Sequence, residues 1–257
     1  MGKGIGLMLD KGKRVQKNIW QNVNPEKAAF LQKYHKDVQI VREGIENIEE
    51  IPDWWKKLLL AKKKEEKLGI AIRMWKECMG DLLKKTIAYM EENLTDVELI
   101  TYKDGYSLLY SITSFGDKTL YYEGGNANEF LVLDELRRKW NGVPETIRNF
   151  YDNLHDGFFS YASSSIGLYR ADNIIYLHQY SWSVVEELEL SLQIDLESSF
   201  SFFGLEKGAY VAVDITDCED DKAFLWFFDK EPRYEVNFWE MVDEWLVAAM
   251  KLEGINH

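Results

Sequence analysis

Cysteine is scarce in this sequence. Only two cysteines, Cys78 and Cys218, occur among 257 residues, and they form no Cys-x-x-Cys spacing. This excludes a disulfide framework and a cysteine-type zinc or redox motif, and it favours buried free thiols in a reducing compartment. No apolar run approaches the roughly 20 residues of a membrane-spanning helix, and Gly2 to Arg14 lacks the apolar core of a signal peptide. We therefore expect a cytoplasmic protein that does not interact with membranes.

Sequence signatures of catalysis are scarce as well. None of the four histidines has a Glu-x-x-His or His-x-His partner, and His155, at the end of a predicted helix, is interpreted as a cap. Ser163-Ser164-Ser165 lacks the Gly-x-Ser-x-Gly elbow, and Gly2-Lys3-Gly4-Ile5-Gly6 follows no strand, so neither a hydrolase nucleophile nor a phosphate loop is supported. We predict that the chain is not an enzyme and needs no cofactor.

The charge of the chain is divided unevenly. Residues 1 to 90 contain 19 Lys and Arg against 12 Asp and Glu, whereas residues 91 to 257 contain 12 against 32. The acidic part suits a basic partner. A simpler interpretation is that the basic helices dock on the acidic part. Hydrophobic residues make up 46% of the chain and include 9 Trp, which is ample for a large core.

The N-terminal part is predicted to be helical. Asn24-Pro25-Glu26 is a typical helix start, and apolar residues then alternate spacings of three and four from Leu31 to Ile48. This seam predicts a helix that pairs with another helix of the chain or forms a homodimer. The seam residues are Leu31, Tyr34, Val38, Val41, Ile45 and Ile48.

A second helical stretch begins at Ile51-Pro52-Asp53 and carries an apolar stripe from Leu68 to Met90, which Gly69 and Gly80 are expected to interrupt. Its lysines are Lys56, Lys57, Lys62, Lys63 and Lys64. They suit either an anionic surface or a solvated helix face. Because Glu65 and Glu66 are adjacent and no arginine is interleaved, we favour the solvated face and expect no direct nucleic-acid contact.

Residues 97 to 123 alternate like an antiparallel hairpin followed by a third strand. Val97 to Tyr102 and Tyr106 to Thr113 flank the turn signal Asp104-Gly105, and Lys118 to Tyr122 is a further strand. Gly124-Gly125-Asn126 then interrupts the pattern. We place a domain boundary there, with a basic helical region ending in a β-hairpin at 1–125 and an acidic domain at 126–257.

A short amphipathic helix opens the second part. Pro144 suits the first helical turn, and Ile147, Phe150, Tyr151 and Leu154 share one face. Asp156-Gly157 provides the stop. Further along, Tyr210 to Asp214 is an alternating strand that ends in Asp. After an acidic turn, Phe224 to Asp229 forms another strand, and Asn237 to Leu246 forms a closing amphipathic helix.

These elements, in this order over residues 130 to 252, resemble the SUKH superfamily, whose pattern is a Gly-x-Pro helix with an Asn-Gly or Asp-Gly end, a strand meander, a strand ending in Asp and a closing helix. The resemblance implies an α+β fold with a mostly antiparallel sheet flanked by helices. The family domain commonly stands alone, whereas about 125 residues precede it here.

Bacterial SUKH proteins are largely immunity proteins that bind and block a cognate polymorphic toxin, frequently a nuclease. The resemblance therefore implies a toxin domain as partner and an acidic binding surface. One alternative is a regulatory scaffold like the fungal members, which are linked to cell-wall synthesis. Another is a metal-dependent nuclease or hydrolase that uses the acidic turn, although this turn lacks the glycine and the closing Glu of a calcium loop, and we predict no metal site.

The candidate partner-binding residues combine carboxylates with aromatic rings, because aromatic side chains anchor interfaces while charge sets association rate and partner choice. The aromatic residues are equally compatible with a packing role in the core. The carboxylates are Asp217, Glu219, Asp220, Asp221, Glu186, Glu187 and Glu189, and the aromatic residues are Tyr176, Tyr180 and Trp182.

Overall fold

The structure, a computed structural model, describes residues 23–103, 105–129, 134–180, 182, 192–205 and 208–252. Asn24 begins the first helix, since its side-chain oxygen accepts a 2.8 Å hydrogen bond from the backbone N–H of Glu26. The third helix continues through Gly69 and ends just before Gly80. The N-terminal helices are α1 (Pro25–Tyr34), α2 (Asp53–Leu59), α3 (Lys64–Met79) and α4 (Lys84–Asn93).

The predicted helix from Leu31 to Ile48 is wrong beyond Tyr34. The chain turns into strand β1 (Gln39–Val41), and Gly44 then adopts a positive φ of 71° before Ile45. Strand formation prevails because β-branched residues favour it and because Ile40 pairs with Ile100 of the neighbouring strand. Three of the seam residues, Leu31, Val38 and Ile45, are buried within one chain and the other three are partly buried, so the helix proposed for a homodimer does not exist as such.

The predicted hairpin is confirmed as β2 (Leu94–Tyr102) and β3 (Gly105–Thr113). Tyr102 pairs with Gly105, and Lys103 in the connection has a positive φ of 51°, as hairpin turns of type I′ require. Asp104 lies outside the described residues. The third strand is also confirmed, and it extends further than predicted as β4 (Thr119–Gly125).

The short helix of the second part is confirmed as α6 (Glu145–Asn153), which follows the four-residue helix α5 (Asp134–Arg137). Its face of Ile147, Phe150 and Tyr151 is fully buried. Gly157 then needs to be glycine, because its φ is +78° and a Cβ there would lie 2.7 Å from the backbone of Tyr169.

The remaining strands continue the same sheet, and the closing helix α7 (Phe238–Leu252) follows them. Tyr210 to Asp214 forms a strand as predicted, and the strand predicted at Phe224 to Asp229 forms but ends at Phe227. These strands are β5 (Phe158–Ser160), β6 (Ser163–Leu168), β7 (Ile175–Tyr176), β8 (Ser199–Leu205), β9 (Ala209–Asp214), β10 (Lys222–Phe227) and β11 (Arg233–Asn237).

One antiparallel sheet therefore connects the described chain, and the fold is α+β as predicted. Its order is β1-β2-β3-β4-β5-β6-β8-β9-β10-β11, with β7 paired to β8. The predicted boundary at residue 125 coincides with the end of β4. Hydrogen-bonded pairing continues across it, because Tyr122 of β4 is opposite Ser160 of β5.

The two faces of the sheet are covered differently. The main core packs helices α2, α3, α4, α6 and α7 against one face and includes Trp75, Phe150 and Trp239. On the opposite face, Leu31 of α1 packs near Ile100. A third cluster on β9 and β10 is covered by the segment that contains Leu177 and Trp182.

Candidate functional site

The acidic turn lies between β9 and β10, and its carboxylates are not equivalent. Asp217 pairs with Lys222 (Oδ2 to Nζ, 2.8 Å), and Asp221 accepts a hydrogen bond from Thr146 of α6. Glu219 and Asp220 are exposed and have no side-chain hydrogen bond or ion pair with any described residue. These two are therefore the carboxylates that the turn presents to solvent.

Several interactions fix the shape of this turn. Asn237 donates a 3.2 Å hydrogen bond to the backbone oxygen of Asp220. Lys222 also pairs with Glu235 at 2.9 Å, and the hydrogen bonds to both carboxylates raise the pKa of its ammonium. The turn is thus tied to β10 and β11, which fixes the position of its backbone.

Asp214, which ends β9, is a structural residue. Burial raises the pKa of its carboxyl, but hydrogen bonds from Ser198 (2.6 Å), Thr216 (2.7 Å) and two backbone N–H groups outweigh that effect, and the pKa is lowered. One of those N–H groups belongs to Asp195. Asp214 therefore joins the entry to β8 to the start of the acidic turn.

The predicted aromatic residues have three different environments. Tyr176 stacks on Phe200 with ring centroids 4.8 Å apart and donates a hydrogen bond to the backbone of Glu197. Trp182 is only 7% exposed, donates to the backbone oxygen of Leu177 and packs on Trp226. Tyr180 is 54% exposed, so among the three it is the ring available for contact.

The structure separates the three aromatic residues: Tyr176 is opposite Phe200, which pairs with Val213 beside Asp214, whereas Trp182, and Tyr180 packed on it, lie away from the acidic turn. Trp182 packs against Tyr210 and Trp226, which are paired with each other near the far ends of β9 and β10. Tyr210 and Asp214 are four residues apart along an extended strand, which corresponds to about 13 Å. The predicted residues Glu186, Glu187 and Glu189 lie outside the described residues.

Within the described residues, no group of three or more His, Cys, Asp or Glu side chains is arranged to hold a metal ion. In the acidic turn, Asp217 is directed to Lys222 and Asp221 to Thr146, so these carboxylates diverge. The geometry of the turn therefore gives no support to the alternative of a metal-dependent hydrolase.

Sequence reasoning missed a cleft of about 760 Å³ beside the β2–β3 turn. We call it the hairpin cleft. Aromatic residues form much of its wall, and charged residues lie among them. The aromatic lining residues are Tyr34, His35, Tyr102, Phe159 and Tyr161, and the charged ones are Lys103, Glu129, Arg170 and Asp172.

A buried carboxylate supports one wall of the hairpin cleft. Glu123 of β4 has no exposed surface, and the Tyr102 hydroxyl lies 2.8 Å from both of its carboxylate oxygens. Burial raises the pKa of Glu123, although hydrogen bonds from Ser107 and Tyr102 act in the opposite direction. This contact fixes the orientation of the Tyr102 ring at the cleft surface.

Arg170 forms the centre of a second charged group. Its guanidinium lies 3.3 Å from Asp156 and 3.7 Å from Asp172. Asp156 is buried and also accepts a 2.7 Å hydrogen bond from the backbone N–H of Ala171. Burial raises the pKa of Asp156 to about 6, in spite of the nearby Arg170.

His35 completes the aromatic wall. Its ring stacks on Tyr102 with centroids 4.2 Å apart and an interplanar angle of 19°, and its edge meets Tyr161. Burial and the charge of Lys103 lower the pKa of this histidine, which favours the neutral ring at neutral pH.

The hairpin cleft had no sequence signature because its residues come from separate segments. Tyr34 and His35 end α1, Tyr102 and Lys103 are at the hairpin turn, and Arg170 follows β6. The only local signal was the density of polar aromatic residues near the predicted turn.

In comparisons with known protein families, curated proteins and solved structures, no match to this chain was found. Among the described residues, no helix combines the length and the hydropathy that crossing a membrane requires.

Proposed function

We propose that this chain is a cytoplasmic immunity protein of the SUKH type, which binds a cognate toxin domain and blocks it by direct contact. The proposal is supported by the resemblance in element order, carried here by α6, a strand meander, β9 ending in Asp214, and α7. Its acidic second part suits a basic partner such as a nuclease, whose nucleic-acid groove is positively charged.

The observation that carries the proposal is the geometry of the acidic turn. Glu219 and Asp220 are exposed and unpaired among the described residues, whereas Asp217 and Asp221 hold the turn in place. Unneutralised carboxylates on a backbone held in place steer a basic protein and discriminate between partners.

A regulatory scaffold is the alternative of a different class. It would recruit several partners through the N-terminal helices rather than one toxin through the acidic turn. The number and stoichiometry of bound proteins separate these two functions.

The test begins with tagged full-length chain in a lysate of its native cell, at low and high salt, followed by mass spectrometry. A single stoichiometric basic partner is then produced with and without this chain, and growth is scored. We expect the partner to be toxic alone and harmless when coexpressed. Several substoichiometric partners, or a partner that is not toxic, would contradict the immunity function.

The role of the turn is tested separately with the double variant Glu219→Gln and Asp220→Asn. Asn suits the positive φ of 53° at residue 220. We expect association at low salt to slow by roughly threefold to tenfold, because charges at an interface rim act mainly on the association rate. Equal rates for the variant and the wild type would remove the turn from the interface.

The matched control is Asp229→Asn with Glu231→Gln. These exposed residues lie in the β10–β11 connection, at the opposite end of β10, and their replacement removes the same two charges. We expect little change in the association rate for this control. Equal slowing in both double variants would indicate an effect of net charge alone.

A further inference from the structure

The hairpin cleft has the dimensions of a ligand site. Its volume of about 760 Å³ lies within the range of roughly 300–1,000 Å³ that small-molecule sites occupy. It lies on the α1 side of the β2–β3 hairpin, and none of its lining residues belongs to the acidic turn. A function of this cleft is therefore independent of the function proposed above.

The aromatic rings of the hairpin cleft hold one another in place. His35 stacks on Tyr102 and meets Tyr161 edge-on, while Tyr34 meets Tyr161 at 6.3 Å. Tyr161 also donates a hydrogen bond to the backbone oxygen of Leu31. Fixed aromatic faces attract cations, and planar cations in particular stack on them.

Two carboxylates lie on the cleft wall among these rings. The Glu129 carboxylate lies next to the hairpin turn, since a Cβ on Gly105 would lie 3.0 Å from its Oε2 atom. Its side chain has no hydrogen bond or ion pair with any described residue. Asp172 is half exposed and contacts Arg170 only at 3.7 Å. Both carboxylates thus retain capacity to accept hydrogen bonds from a ligand.

The charge balance of the cleft favours a cation over an anion. Arg170 is neutralised by the buried Asp156, which leaves two carboxylates on the wall, those of Glu129 and Asp172, against the single ammonium of Lys103. Burial lowers the pKa of Arg170, but Asp156, Glu123 and Asp172 outweigh that effect and raise it, so its surroundings are negative. Lys103 acts against the binding of a cation. This exposed lysine at the turn has no hydrogen bond or ion pair with any described residue, so its positive charge is not compensated.

We propose that the hairpin cleft binds a guanidinium group, either on a free small molecule or on an arginine side chain of a protein. Its planar faces stack on aromatic rings, and its in-plane N–H groups donate to carboxylates in pairs. The rings of Tyr34 and Tyr102, with the carboxylates of Glu129 and Asp172, supply both kinds of contact, and Tyr161, only 3% exposed, supports these rings from behind.

The test is calorimetric titration of the full-length chain with agmatine, N-acetyl-arginine amide, butylamine and propionate. We expect at least one guanidinium compound to bind more tightly than butylamine, and propionate to bind most weakly. Preference for agmatine indicates a free small molecule, and preference for the arginine amide indicates a protein side chain. No guanidinium binding, or tighter binding of propionate, would overturn the proposal.

Two variants locate the binding. Glu129→Gln with Asp172→Asn should weaken guanidinium binding at least about tenfold, because both hydrogen-bonding carboxylates are lost. Lys103→Gln should strengthen it by roughly twofold to threefold, because a like charge is removed. The control Asp229→Asn with Glu231→Gln, which loses two charges outside the cleft, should bind as the wild type does. Unchanged binding in the first variant, or weaker binding in Lys103→Gln, would contradict the assignment.

Discussion

His155 and Tyr110 are joined by a 2.7 Å contact between the imidazole Nε2 and the phenol oxygen, and both side chains are fully buried. The other ring nitrogen, Nδ1, lies 3.2 Å from the carbonyl oxygen of Gly125. Because a carbonyl only accepts, Nδ1 carries the proton and Tyr110 donates to Nε2. His155 is therefore a link between α6 and the sheet, and the interpretation of its side chain as a helix cap is wrong.

Replacing Tyr110 with Phe should destabilise the fold by about 1–3 kcal/mol. The hydroxyl also accepts a 3.3 Å hydrogen bond from the indole of Trp75, so its loss leaves a buried acceptor and a buried donor unpaired. Urea unfolding measures the change, with the exposed Tyr180→Phe as control. Equal stability of both variants would show that these hydrogen bonds are energetically neutral.

The neighbouring residues His155 and Asp156 should make the stability of the fold depend on pH in opposite directions. Burial lowers the pKa of His155 to about 3, so its contribution to stability is complete above pH 6.5 and is lost as the pH falls toward 3. Burial raises the pKa of Asp156 to about 6, which has the opposite effect on stability. The contribution of the Asp156 carboxyl to stability is present below pH 3.8 and is lost as the pH rises to 6.

The variant Asp156→Asn should therefore lose stability more steeply than the wild type between pH 6 and pH 4. The extra slope is at most about 1.4 kcal/mol per pH unit, the value for one proton. Urea unfolding across this range tests it, and Asp172→Asn is the control because it removes the exposed carboxylate beside the same Arg170. Parallel profiles for wild type and Asp156→Asn would contradict the assignment.

Elements with a strong local signal could be predicted from the sequence. The apolar face of α6 and the alternation in β9 depend on residues close in sequence, and both formed as expected. The helix predicted from Leu31 to Ile48 was wrong beyond Tyr34. Its apolar spacing of three to four came from a helix, a turn and a strand that follow one another, and not from one continuous helix. The hairpin cleft was missed because tertiary packing alone brings Tyr34, Tyr102 and Arg170 together.

Helix α4 illustrates a cap that sequence proximity cannot reveal. Leu83, at its start, makes no capping hydrogen bond with its side chain. Instead Asp243 of α7 accepts from the backbone N–H groups of Lys85 (2.9 Å) and Thr86 (2.7 Å). A carboxylate there satisfies free N–H groups and interacts favourably with the helix dipole.

Replacing Asp243 with Ala should therefore cost about 1–3 kcal/mol of unfolding free energy, because two backbone donors lose their buried partner. Asp243→Asn should retain part of the stability, since its amide oxygen can still accept. The control is Glu244→Gln, which removes only the exposed pair with Lys85. Urea unfolding of the three variants tests the order, and an alanine variant as stable as the control would disprove the cap.

Val38 distinguishes burial within one chain from helix pairing between two chains. It is 2% exposed and packs in the cluster with Leu31, Ile40 and Tyr161. Val38→Asp should cost at least about 3 kcal/mol, because the carboxylate would be buried without a partner. The control Leu60→Asp, at a 52% exposed position, should unfold like the wild type.

Light scattering below the unfolding transition should give the same mass for wild type and variant. A wild-type dimer that Val38→Asp converts to a folded monomer of unchanged stability would instead support pairing between chains.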